Sequence, residues 1–167
     1  GSIVIREVVF DGDNSTESTT ISRTVEQIAT IDYATGEVSP QVVVEVPPVD
    51  YRNVYLGIEM QDDGDYPSTV INGVYTNSEG VEIPLRFEFN SGEVFEAEAD
   101  VASIEAGDDL IGKITFDALD WFSVVTAAVL DDASLTEGVM VISETSNTDI
   151  FDAVAARLDI GTEVVFE

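Results

Sequence analysis

Oxygen donors at alternate positions open the chain's candidate chemistry. Asp11, Asp13, Ser15 and Glu17 stand two residues apart in the run Asp11-Gly12-Asp13-Asn14-Ser15-Thr16-Glu17. Hard cations such as calcium take six to eight oxygen ligands from carboxylates, carbonyls and waters, and such a run supplies several. Asp62, Asp63 and Asp65 form a second cluster around Gly64, and Asp108-Asp109 and Asp131-Asp132 are further pairs. These seven residues, Asp11, Asp13, Ser15, Glu17, Asp62, Asp63 and Asp65, are the candidate calcium ligands. The competing explanation is that Asp and Gly are turn residues, because the Asp side chain bonds its own backbone.

The first run resembles the front half of an EF-hand loop and then departs from it. Its sixth position is Thr16 instead of Gly, and its twelfth is Ser22 instead of Glu. Two carboxylates about 5 to 9.5 Å apart would also suit glycoside hydrolysis. With 34 acids in the chain such pairs arise by chance, so composition alone does not favour a carbohydrate-active enzyme. Lys113 is the only lysine and the only candidate for a Ser–Lys dyad, but a solvent-facing strand residue explains it as well. Tyr51 and Tyr55 are placed on one strand face with Glu59 beyond them, where aromatic rings beside carboxylates could stack on a sugar or hold a cation. Trp121-Phe122 could line a pocket, but with Leu119 and Val125 beside it the pair reads as a core plug.

Other chemistries are closed by composition. The chain has no His and no Cys, so the commonest catalytic base, thiol nucleophile and soft metal ligands are missing. No catalytic residue is assigned, and the cofactor expectation is none or calcium. Against 34 acidic residues stand six basic ones, for a net charge of -28, and a nucleic-acid phosphate backbone would be repelled. So few cations leave most carboxylates unpaired, and self-repulsion at low salt then opposes the compact state. That balance suits concentrated salt and a saline source. No apolar stretch is long enough to span a membrane. Gly1-Ser2 reads as a cloning remnant, with room for a signal or lipid-anchor segment upstream. Asn14-Ser15-Thr16 matches the N-glycosylation pattern.

These groups must be held by strands. Hydrophobic residues make up 44% of the chain, enough for a core, and the chain is rich in Val, Ile and Thr. Ser2 to Phe10 alternates across an expected bulge, and Asp11 to Ser18 reads as a loop. Thr20 to Ile31, Arg52 to Met60, Thr69 to Thr76 and Val81 to Phe89 read as strands, and Gln41 to Val46 as a short apolar run ended by Pro47-Pro48. A three-residue loop, Asn90-Ser91-Gly92, is expected to close a hairpin that pairs Phe87 with Phe95 and Leu85 with Ala97, with Gly92 left-handed and Glu96, Glu98 and Asp100 as an outer acidic ladder. Leu110 to Phe116, Val139 to Ser143 and Thr162 to Phe166 are further strands. Asp117 is expected to cap one helix running through Val129, and Ser146 to cap another through Leu158. The expectation is an all-β fold, a β-sandwich of about eight to ten mainly antiparallel strands with two short helices in the C-terminal half, with residues 3–167 as one domain.

The runs "ITFDALDWF" and "MVISETSNTDIFDAVAARL" resemble the C-terminal part of surface lipoproteins of Bacteroidota-type bacteria. The resemblance implies an exported, lipid-anchored β-domain and carries no catalytic residues. The expected function is a non-enzymatic binding or structural module, extracellular or at the cell surface or periplasm. Its expected partners are other copies of itself, through strand edges, or cell-surface proteins and polysaccharide. The alternatives are a calcium-dependent adhesion or matrix domain and a carbohydrate-active enzyme using two carboxylates.

Overall fold

The computed structural model describes residues 1–104, 112–158 and 162–166. β1 (Ser2–Asn14) and β2 (Thr20–Asp32) form a long antiparallel hairpin. A bulge between Ile5 and Glu7 lets Ile3 and Ile5, then Val8 and Phe10, all face inward. The strand does not stop at Phe10. Asp11 and Asp13 are strand residues, because β1 is paired on both edges through this stretch and ladder bonds outweigh the poor strand propensity of Asp and Gly. The turn follows at Ser15, where the Asn14 Oδ1 accepts from the backbone of Thr16 and Glu17 and from the Thr16 hydroxyl. Asn14 is thereby buried, with its amide oxygen committed to the turn.

The sheet forks at β1. Toward its C-terminal end β1 pairs with β4 (Asp50–Met60), which pairs with β7 (Val94–Ser103). Toward its start β1 pairs briefly with β5 (Thr69–Thr76), which continues through β6 (Glu82–Phe89) to β9 (Met140–Ile142), the last contact being parallel. β3 (Val38–Ser39) meets β2 only at Thr30 and Ile31. β8 (Gly112–Phe116) and β10 (Thr162–Phe166) make a separate two-stranded ribbon. The fold is all-β with short helices, and its main sheet is one continuous, mostly antiparallel sheet of eight strands.

The expected β6–β7 hairpin does not form. Phe87 pairs with Ile71, and Phe95 pairs with Ile58. Both edges of β6 are taken by β5 and β9, so the chain leaves it for the other arm. The intervening loop is pinned by the buried Ser68, whose hydroxyl reaches the carbonyls of Phe89 and Ser91. Gly92 is not left-handed; a Cβ there would lie 2.8 Å from a carboxylate oxygen of Asp62, which would have to shift.

Among the described residues three helices stand where two were expected. α1 (Ala118–Phe122) is capped as predicted, with the Asp117 carboxylate accepting from the backbone N–H groups of Leu119 and Asp120. It ends at Ser123, where the β-branched run Val124-Val125-Thr126 follows, and α2 (Ala127–Asp131) starts afresh. α3 (Thr148–Ala155) starts from Asn147, not Ser146. Asn147 sits left-handed at φ 50° and its amide bonds Ser134 and Val141 instead of the helix. The inward residues of both arms meet in one core with Trp121, Ile150, Phe151, Val154 and Leu158. Trp121 plugs it, edge-on to Phe116, which is itself edge-on to Phe95. Leu119, expected beside it, is 86% exposed.

Candidate functional site

The two tyrosines lie on opposite faces of β4, not on one. Asn53 takes a left-handed φ of 50°, and the register of β1 against β4 shifts between Asp11 and Asp13. This irregularity resets the alternation, so Tyr51 and Val54 both point inward and Tyr55 outward. Tyr51 is fully buried in a small core with Phe10, Val54 and Ile104. It meets the Phe10 ring edge-on at 5.4 Å and donates its hydroxyl to the Pro47 carbonyl at 2.6 Å. Burial pushes its phenol pKa up, opposed by the Arg23 charge. It is a structural group with no open side for a ligand.

Tyr55 lies in an acidic field. Across the sheet it is opposite Asp11 on β1 and Glu98 on β7, and its hydroxyl donates to Glu96 at 2.8 Å. Burial, the Glu96 hydrogen bond and the neighbouring carboxylates together push its pKa up to about 12. Its ring covers Gly57, where a Cβ would stand 2.7 Å from the hydroxyl. Glu96, Glu98 and Asp100 are exposed along β7, so the acidic ladder predicted for that strand is present.

The other predicted acids are distributed differently. Asp13 has both oxygens engaged, by the Thr20 hydroxyl at 2.6 Å and the Asn53 amide at 3.0 Å, and these bonds hold its pKa below the ordinary value. Ser15 and Glu17 belong to the turn beyond the strand. Asp62 and Asp63 gather with Glu59 around the Arg6 guanidinium. Asp65 is exposed, and Asp131 accepts from the Tyr75 hydroxyl at 2.7 Å. Asp108-Asp109 lies outside the described residues, as does the side chain of Lys113. Among the described residues no three carboxylates are grouped to hold a metal ion.

What sequence reading missed is an edge. From Thr20 to Ala29 the outer side of β2 has no strand partner among the described residues. Its outward side chains Ser22, Thr24, Glu26 and Ile28 are exposed, Ile28 by 60%. Gln41 meets this strand through the Gln27 amide, and Val43 two residues on is 61% exposed. Val42, Val44 and Val46 beside it turn inward against the two cores. The signal was the spacing of charge: residues 20–31 and 38–49 hold only the acids Glu26 and Glu45, in a chain with 34 acids in 167 residues. No helix among the described residues is long and apolar enough to cross a membrane. No protein-family model, curated protein or solved structure matches the chain.

Proposed function

We propose that this chain is a non-enzymatic binding or structural module of the cell exterior, with a surface suited to concentrated salt and an association mode through exposed strand edges. The observation that carries this reading is the coincidence of unpaired backbone, exposed apolar side chains and sparse charge along β2. An unpaired edge offers a row of N–H and C=O groups to another strand. Elsewhere the acidic surface repels a like-charged approach. The location rests on the sequence resemblance of the second half alone. Light scattering from low to molar NaCl tests the association: mass should rise with protein concentration at high salt. A strict monomer at every salt and concentration would overturn it. Titration calorimetry with calcium in the same buffers should show diffuse counter-ion heat without a saturating site.

A further inference from the structure

We infer that the outer face of β4 is a docking site for a guanidinium group, the arginine side chain of a basic partner protein, with the Tyr55 ring as its platform. A row of carboxylates alone only gathers counter-ions. What sets this row apart is how the ring is laid. A Cβ on Gly57 would stand 2.7 Å from the Tyr55 hydroxyl and 3.0 and 3.1 Å from its Cε1 and Cζ, so the ring lies along the strand over that glycine. One ring face is thereby taken by the backbone. Tyr55 is only half-buried, and the other face is the one turned to solvent. The hydroxyl donates to Glu96 at 2.8 Å, which holds the ring in place before anything binds.

Carboxylates stand along the rim of the ring. Asp11 and Glu98 are directly opposite Tyr55 on β1 and β7, and Glu96 is opposite Gly57. Side chains opposed in this way lie about 4.5–5.5 Å apart at Cβ. A cation seated on the open face meets the ring quadrupole below and acids on both sides. Arginine fits this arrangement better than lysine or a metal ion. Its guanidinium is flat and weakly hydrated, stacks on aromatic faces and can fork to a carboxylate at the same time. A metal ion needs converging oxygens, and among the described residues no three carboxylates are grouped to supply them. Concentrated salt screens the acids but leaves the ring face uncovered, so the site keeps its preference in the medium this surface suits. It is separate from the β2 edge, and the two proposals stand or fall independently.

Chemical-shift titration with a capped tripeptide carrying one central arginine tests the site, in NaCl from low to molar. The Tyr55 ring signals should move and saturate. The citrulline analogue, flat but uncharged, should leave them still. Tyr55→Leu keeps every carboxylate and should weaken binding about fivefold, read from the backbone signals of Glu96 and Glu98. Tyr55→Phe, which restores a ring face, should recover most of that loss, which a general folding defect would not allow. A lysine peptide should bind several-fold more weakly. Binding that Tyr55→Leu leaves unchanged, or that lysine matches, is counter-ion attraction to the acids and overturns the site. The absence of any saturable shift overturns it too, and leaves association through β2 untouched.

Discussion

Tyr55 shows how a single side chain reports the acidic surface. Its phenol is raised to about 12, by burial first and then by Glu96 and the carboxylates around it. A phenol whose pKa is higher folded than unfolded favours the folded state while protonated. That contribution is full below about pH 10, the unfolded tyrosine value, and is lost as pH rises toward 12. Absorbance titration should therefore show a late tyrosinate step that Tyr55→Phe removes. Gly57→Ala should move the same step downward, since the new carbon meets the movable Tyr55 hydroxyl and displaces it from Glu96. Gly12 is the opposite case. A Cβ there would stand 2.7 Å from the Tyr51 ring and 3.2 Å from Phe10, both buried. Neither ring can leave, so Gly12→Ala should cost about 1–3 kcal/mol, read from the urea midpoint. An unchanged midpoint would mean that the β1–β4 irregularity is more compliant than its packing implies.

Between elements, the decisive contacts belong to side chains that leave their own strand or helix. Asn147 ties the segment before β9 to the start of α3, donating to Ser134 and Val141 and accepting from the Ser134 N–H. Losing these bonds at about 0.5–1.5 kcal/mol each puts Asn147→Gly at roughly 2–3 kcal/mol. Asn147→Ala should cost about 1 kcal/mol more, because a Cβ is strained at left-handed φ and glycine is not. Chemical denaturation of the two variants measures the difference. This scale also explains what the sequence could and could not convey. Alternation located most strands, including the inward row Val54, Leu56, Ile58 and Met60 and the acidic ladder of β7. It says which face is buried but not which strand lies alongside, so Phe87 and Phe95 were rightly inward and wrongly paired. The tyrosines were misplaced for a related reason: one left-handed Asn at position 53 shifts the phase, and nothing in the residue types near it announces the shift. Asp117 was legible because a cap acts within three residues, whereas Asn147 acts on partners 6 and 13 residues away.

At the scale of the molecule the governing quantity is unbalanced charge. Among the described residues, Arg6, Arg86 and Arg157 are spent on local ion pairs. Exposed pairs of that kind contribute at most about 1 kcal/mol each, too little to offset repulsion among 34 acids. Screening can do so, because the Debye length falls from about 30 Å at 0.01 M salt to about 3 Å at 1 M, shorter than most spacings between surface carboxylates. Thermal melts across NaCl should therefore rise by several degrees or more, steeply at first and flattening near 1 M. Salt can also stabilise by being excluded from apolar surface, but that effect grows with concentration without flattening and is larger for sulfate than for chloride. Melts in the two sodium salts matched for ionic strength separate the causes: coincident, saturating curves identify screening, and a sulfate curve that keeps climbing identifies exclusion. A melting temperature indifferent to both salts would mean that the acids are spaced widely enough to ignore one another, and the premise that like charge confines association to the neutral β2 edge would fail with it.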